Sequence, residues 1–500
     1  MSLILDADFW ETATVEDVVK ALDSGADISA RNEEGWTPLH LAAGYSNAPE
    51  VVALLLDRGA DIEARAENGT TPLLLASTKS ETPEVVSLLL DRGANIKACN
   101  EIGQTPLHGA AAFNKIVKVI VLLLDRGANI EAHAEDGMTP LHSAAAFNKT
   151  PEVVSLLLDR GADLEARFED GRTPLHVAAG DSETPAIIEL LLDRGADIEA
   201  REGGGWTPLH SAAAFNKTPE VVSLLLDRGA DISARDKNVW TPLHLAAGYS
   251  NAPEVVALLL DRGTDIKVRA EDGRTPLHSA AAHSKTAEVV AVLLDRGADL
   301  KARDEDGRTP LHWAAAFNKT PEVVALLLDR DADIEPRDEE GWTPLHWAAR
   351  FNETPEVVSL LLGKGANTKA KDDKGRTPFD IAEQTGHLKG RDVYWRLFSN
   401  EAQYNPLLDA DFWKTATVED VAKTLDIGAD INAHDKDGWT PLHLVARFSK
   451  TPEVISLLLD RGADGTARND KGRTPFEIAK LTGYLKGNDV YWRLNDARYQ

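Results

Sequence analysis

The stretch GWTPLHLAAGYSNAPEVVALLLDRGADIEARAENG, residues 35–69, decides the fold, because most of the chain repeats it. Thr37 is a good N-cap, and Pro38 suits a first helical turn, where its missing N–H leaves no bond unmade, so a short helix is predicted to begin there. Leu39, Ala42 and Ala43 stand at i, i+3 and i+4 and give that helix a small apolar face that permits close approach. A polar loop follows, and a second helix starts at Pro49. Its body, VVALLL (51–56), is apolar nearly all the way round and needs cover on several sides, as when sandwiched between copies of itself. Gly59 supplies the left-handed residue that ends it, and ADIEARAENG (60–69) leads through polar, turn-prone residues to the next unit.

Thr-Pro recurs with Thr at 37, 71, 105, 139, 173, 207, 241, 275, 309, 343 and 377, always 34 residues apart. After a gap of 63 it returns at Thr440 and Thr474, again separated by 34. A fixed period of this length indicates a solenoid of small two-helix units, each too small to bury its apolar face alone.

The pattern G-x-T-P-L-H-x-A-A … E-V-V-x-L-L-L-x-x-G-A-D resembles the ankyrin repeat. It is carried by TPLHLAA at 37–43 and 241–247, TPLHSAA at 139–145 and 207–213, and TPLHWAA at 309–315 and 343–349. The resemblance implies an all-α solenoid of antiparallel helix pairs in a curved array, with hairpin-like loops projecting along one edge. In its 34-residue period and repeat style the chain is similar to ankyrin proteins of bacteria and their symbionts. The usual repeat has about 33 residues. The extra residue falls between the two helices, where segments such as FNKTPE (147–152) replace the family's Gly-His, so the second helix is expected to be capped by Thr-Pro-Glu. Three departures mark expected weak packing or altered curvature: Leu74 in place of His, KIVKVI (115–120) without Thr-Pro-Glu, and Asp331 in place of the helix-ending Gly.

An open stack exposes apolar surface at both ends, so its terminal units must differ. DADFWETATVEDVVKALD (6–23) opens the chain, and DADFWKTATVEDVAKTLD (409–426) opens it again. Thr14 and Asp17 stand at capping-box spacing. RDVYWRL (391–397) and NDVYWRL (488–494) replace the apolar second helix in two closing units. The chain therefore reads as two capped arrays. The first, 1–397, has a first cap at 6–35, ten full repeats from 36 and a closing cap at 376–397. The second, 409–500, has a first cap, one full repeat and a closing cap, and 398–408 joins the two. The first array grew by copying, since residues 37–59 recur at 241–263.

With 43% hydrophobic and 27% charged residues the composition is that of a soluble folded protein. No apolar run approaches the roughly eighteen residues of a membrane span, and MSLILDAD lacks the features of a signal peptide. A single cysteine, Cys99, excludes an internal disulfide and fits a cytoplasmic location, although delivery into a host cell by specialised secretion leaves the same trace. A net charge of −27 argues against nucleic acid and anionic membrane. It fits either a basic protein partner or the solubility of a large surface.

No catalytic, cofactor or metal site emerges. Ten histidines, His40, His108, His142, His176, His210, His244, His278, His312, His346 and His443, occupy one repeat position. Packed helices lie about 10 Å apart, too far for shared metal coordination. The family resemblance implies that these residues bond neighbouring loop backbone. His133, His283, His387 and His434 form no ligand motif, Cys99 has no local partner, and Asp-Arg at 57–58 and its repeats read as solvated helix-end charges.

Two rows of residues vary in a way that suggests recognition. Just before Thr-Pro stand Trp36, Arg172, Trp206, Trp240, Arg274, Arg308, Trp342 and Trp439. In ankyrin repeats this position lies near the concave face and commonly contacts partners, and Trp and Arg are enriched in binding hot spots. Alternatively, each Trp packs on the next loop and each Arg pairs with nearby acids. Eight residues after the Thr stand Tyr45, Phe113, Phe147, Phe215, Tyr249, Phe317, Phe351 and Phe448, with Lys79, Asp181 and His283 at the same place elsewhere. These rings either touch a target or fold back over the helix ends; the larger loop favours folding back. The expectation is a monomeric, non-catalytic protein-interaction scaffold; the alternative is an assembly role in which the short second array or the cap surfaces mediate self-association or docking.

Overall fold

The computed structural model describes residues 3–388, 392–398, 405–410, 412–426, 429–449, 451–483, 485 and 489–497. Residues 399–404 of the expected junction, and most of NEAQYN (400–405), lie outside the described residues. The chain forms two compact units, Met1–Glu271 and Asp272–Gln500. Among the described residues both are helical, with no strand.

Each full repeat supplies a helix A and a helix B. They are Pro38–Tyr45 and Pro49–Asp57 in the first repeat, Pro140–Phe147 and Pro151–Asp159 in the fourth, and Pro310–Phe317 and Pro321–Asp329 in the ninth. Within each unit helix A packs on the next helix A, helix B on the next helix B, and each A on its own B. Val51, Val52 and Leu55 are completely buried, as are Val153, Val154 and Leu157 and their equivalents in every full repeat. Full burial of one such side chain contributes about 1.5–3 kcal/mol. Helix A is buried almost whole, from Pro38 to Gly44 in the first repeat, which is why its residues are small.

Helix B ends where the sequence places its stop. Gly59 has φ 92°, its N–H donates to Leu56 O (3.0 Å), and Ala60 N–H donates to Leu55 O (3.0 Å), the paired bonds of a Schellman cap. At Asp331, which holds φ 66°, both bonds persist: its N–H donates to Leu328 O (3.1 Å) and Ala332 N–H donates to Leu327 O (3.0 Å), so the expected weak point is a strained residue in an intact cap.

The start of helix B corrects the expectation from Thr-Pro-Glu. Thr150, Thr218, Thr320 and Thr354 make no capping bond with their side chains. The buried Asn two residues earlier does that work: Asn148 Oδ1 accepts from Thr150 N–H (2.9 Å), and its Nδ2 donates to Ala111 O (2.8 Å) and Asn114 O (3.1 Å) of the preceding repeat. Asn216, Asn318 and Asn352 repeat the arrangement. KIVKVI behaves likewise without any Thr-Pro, because Asn114 Oδ1 accepts from Ile116 N–H (2.7 Å) and helix Val117–Asp125 forms normally. Removing such an amide strands two buried carbonyls, each at about 1–3 kcal/mol.

The loops are linked one to the next. Glu67 N–H donates to Glu34 O (3.1 Å), Glu101 to Asn68 (2.9 Å) and Glu339 to Asp306 (3.0 Å), a hairpin-like ladder of single bonds. The helix-end charges stay solvated and also pair between repeats: Arg92 with Asp57 and Arg126 with Asp91 (both 2.8 Å), so each Arg reaches one repeat back. These pairs are largely exposed and individually weak.

The two opening caps share one lid. Trp10 is fully buried and its indole N–H donates to Ile4 O (3.2 Å); Trp413 repeats this with Leu407 O (2.9 Å). Each lid includes a short 3₁₀ turn, Leu3–Leu5 and Pro406–Leu408, just ahead of DADFW. The expected box between Thr14 and Asp17 is formed, and Thr417 with Asp420 copies it. Helix Asp392–Phe398 packs against helix Val418–Asp426.

One strained site had no warning in the reading of the repeats. Val239, at φ 64°, stands where Gly35 and its equivalents adopt positive φ. A Cβ added at Gly35 would lie 2.7 Å from Glu67 N in the next loop. A β-branched residue with positive φ is a genuine outlier. Val239→Gly is therefore expected to raise unfolding stability by about 1–2 kcal/mol, read by denaturant titration; an unchanged or lower stability would show that the position carries no strain.

Candidate partner-binding surface

The pre-Thr residues are placed by a relay that begins in helix A. Thr139 N–H donates to His142 Nδ1 (3.2 Å), and the Thr139 hydroxyl lies 2.9 Å from the same nitrogen. An atom that accepts a backbone N–H carries no proton, so the proton sits on Nε2. Nε2–H then donates to Arg172 O (3.3 Å), the carbonyl of the pre-Thr residue in the next repeat. His40 does this with Thr70, His108 with Met138, His176 with Trp206, His210 with Trp240, His278 with Arg308, His312 with Trp342, His346 with Arg376 and His443 with Arg473, at 2.8–3.1 Å. Leu74 cannot do so, though Thr71 still caps its helix. The backbone N–H of the pre-Thr residue is fixed from the other side, as where Asp338 Oδ1 accepts from Trp342 (2.7 Å).

This framework leaves the Trp/Arg row partly covered. Trp240 and Trp342 are buried, and Trp36, Arg172, Trp206, Arg274, Arg308 and Trp439 are half-buried. Trp206 donates its indole N–H to Asp236 Oδ2 (3.1 Å). Arg172 Nε donates to Asp170 (2.8 Å), Arg274 to Asp272 (2.5 Å) and Arg308 to the buried Asp304 (2.7 Å). Arg274 and Arg308 also lie over the Trp313 ring, at 4.6 and 4.8 Å.

The aromatic row behaves in the opposite way. Folding back over the helix ends is corrected for six of its rings: Phe113, Phe147, Phe215, Tyr249, Phe317 and Phe351 remain 41–57% exposed. Each sits at or just past the end of helix A. Phe113 stacks on Phe147 with centroids 5.8 Å apart, and Phe317 meets Phe351 at 5.7 Å. Tyr45 and Phe448 are half-buried. Trp36 meets Tyr45, Trp206 meets Phe215 and Trp240 meets Tyr249, so the two rows form one strip within each unit. Trp313 and Trp347 join it, against Phe317 and Phe351. Their signal in the sequence is the bulky residue directly after the repeat histidine.

No group of three His, Cys, Asp or Glu side chains among the described residues is placed to hold a metal ion, and no described helix is long and apolar enough to cross a membrane. Cys99 is half-buried, its carbonyl held by Arg65 (2.8 Å).

A stack of helix pairs locked by a recurring Thr–His relay defines a class of solenoid. The model of the family "Ankyrin repeats (3 copies)" matches overlapping windows that run from residue 11 to 406 and from 415 to 488. The chain belongs to the ankyrin repeat family, whose repeats are generally protein–protein interaction modules and typically non-catalytic. Comparison with curated proteins gave no match.

Burial lowers the pKa of His40, His108, His210, His346 and His443, and brings those of His142, His176 and His312 down to about 4, with the carbonyl bond opposing the shift. The folded state thus prefers neutral imidazole, while the unfolded chain takes up protons near 6.5. Stability is expected to be full above about pH 6.5 and to fall as pH drops toward about 4, by on the order of 3 kcal/mol for each of these three histidines. Denaturant unfolding at several pH values checks this, and a flat profile between about pH 7 and about pH 5 would contradict it.

Proposed function

We propose that this ankyrin stack is a non-catalytic scaffold that binds a protein partner along its helix A face and loop tips. The observation that carries the reading is the strip of exposed, mutually stacked rings, above all Phe113–Phe147 and Phe317–Phe351. Exposed aromatic surface of this extent on a framework fixed by hydrogen bonds marks an interaction site, because a rigid surface loses little freedom on binding. The half-buried Trp36, Trp206, Trp439, Arg172, Arg274 and Arg308 form the floor of the same strip. Trp240 and Trp342 support it from below.

Full-length protein carrying Phe317→Ser and Phe351→Ser is expected to keep its helical circular dichroism. It should also recover at least about tenfold less of the partner that the wild type captures from lysate. Equal recovery by both proteins would contradict the reading.

The same proposal divides the chain into two arrays, 1–397 and 409–500, joined at 398–408. Support comes from the second Trp lid at Trp413 and from the break in the family match between residues 406 and 415. Limited proteolysis is expected to cut first within 398–408; a first cut inside either array would count against the division.

A further inference from the structure

Lys79, Asp181 and His283 interrupt the aromatic strip, and only one of these breaks brings a carboxylate: at the helix Pro174–Asp181, Asp181 takes the position held by Phe147 before it and Phe215 after it. The interruption coincides with a groove of about 440 Å³, lined among others by Arg172, Gly180, Asp181, Glu202, Trp206 and Phe215. Its size falls in the range of ligand sites.

One wall is aromatic. The Trp206 and Phe215 rings stand 5.8 Å apart at 33°, and Trp206 is held by its indole bond to Asp236 and its backbone bond to Glu202 Oε1 (3.1 Å). Gly180 leaves the floor without a side chain, where the fourth and sixth repeats have Ala146 and Ala214. The charged part of the lining is mainly acidic, with Asp170, Asp181 and Glu202 against one cation, Arg172, and His176 and Ser211 complete the lining. Arg172 is engaged elsewhere, donating to Asp170 Oδ2 at 2.8 Å and lying over the Phe168 ring at 4.8 Å. The Asp181 carboxylate has no hydrogen bond or ion pair among the described residues. Partial burial raises its pKa, although Arg172 opposes the shift. A carboxylate without a partner beside two aromatic faces offers a cation both a counter-charge and a ring surface.

We propose that this groove receives an arginine or lysine side chain presented by a basic segment of the protein partner. The inference rests on the protein-binding reading and gives the partner its chemistry. Charge complementarity supports the occupant at two ranges: a local excess of acid in the groove, and a chain of net charge −27 that draws basic segments toward it. The alkyl stem of the guest would lie along Trp206 and Phe215, and its charged head would meet Asp181.

The test uses the full chain and a fluorescein-labelled octa-arginine peptide, followed by anisotropy. Three substitutions separate the groove from bulk charge and from folding. Asp181→Asn removes the counter-charge. Glu254→Gln removes the same charge from an exposed position on a helix B. Gly180→Ala adds a methyl only 3.7 Å from the Phe215 ring and from Ser211, ordinary contact distances, so it narrows the floor while favouring the helix.

Asp181→Asn is expected to weaken binding about tenfold and Gly180→Ala about threefold, with thermal stability of the latter unchanged or raised. Glu254→Gln is expected to change binding by less than about twofold. Equal losses for Asp181→Asn and Glu254→Gln, or no peptide binding by the wild type, would overturn the proposal. Neither result would restore or remove partner capture through Phe317 and Phe351, so the wider reading stands or falls separately.

Discussion

One recurring bond sets the order of the stack: in nine repeats a neutral histidine in helix A gives its Nε2 proton to a carbonyl one repeat ahead. Its other nitrogen is committed to the N-cap threonine of its own helix. The imidazole therefore ties helix start to neighbouring loop, and each tie determines where the next pre-Thr residue stands. Apolar burial through Val, Val and Leu of helix B supplies the larger energy, but it is non-directional. The directional bonds give the stack its register.

That register turns a linear period into a surface. Because nine of the pre-Thr carbonyls are held by a histidine of the preceding repeat, the side chain at that position emerges at a regular place along the stack, next to the residue that ends helix A. A Trp there meets the ring of its own repeat, as Trp36 meets Tyr45, and an Arg lies flat on a neighbouring indole, as Arg274 does on Trp313. The outer rings stay exposed and meet in pairs, Phe113 with Phe147 and Phe317 with Phe351. Among the residues that replace a ring in the row, Asp181 is the one that brings a negative charge.

The parts of this structure legible in the sequence are those whose bonds are local. Thr-Pro starts, Gly stops and the capping box of Thr14 and Asp17 are set within four residues, and the 34-residue period announces the stack. What escaped depends on atoms a repeat away. Asn148 reads as a loop residue, since the carbonyls it bonds belong to Ala111 and Asn114. Asp57 and Arg92 are 35 residues apart and read as separate charges. The positions of the two recognition rows were legible, but not their burial: Trp240 and Trp342 are covered, while most of the phenyl rings are not. Even identical sequence leaves room for variation. Residues 37–59 recur at 241–263, yet helix Pro38–Tyr45 is continuous while its copy passes into a wider π turn at Ala246–Ser250 and Asn251 adopts φ 52°. The surroundings of the two copies, not their residues, must account for that difference.

The tautomer of the row histidines tests the central bond most directly. In protein labelled with ¹⁵N at histidine, long-range ¹H–¹⁵N correlation spectra at neutral pH should show His40, His108, His142, His176, His210, His278, His312, His346 and His443 neutral, with the proton on Nε2. Protons on Nδ1, or rings that titrate like free imidazole near 6.5, would mean that the bond from ring to loop is absent and that something else sets the register of the stack.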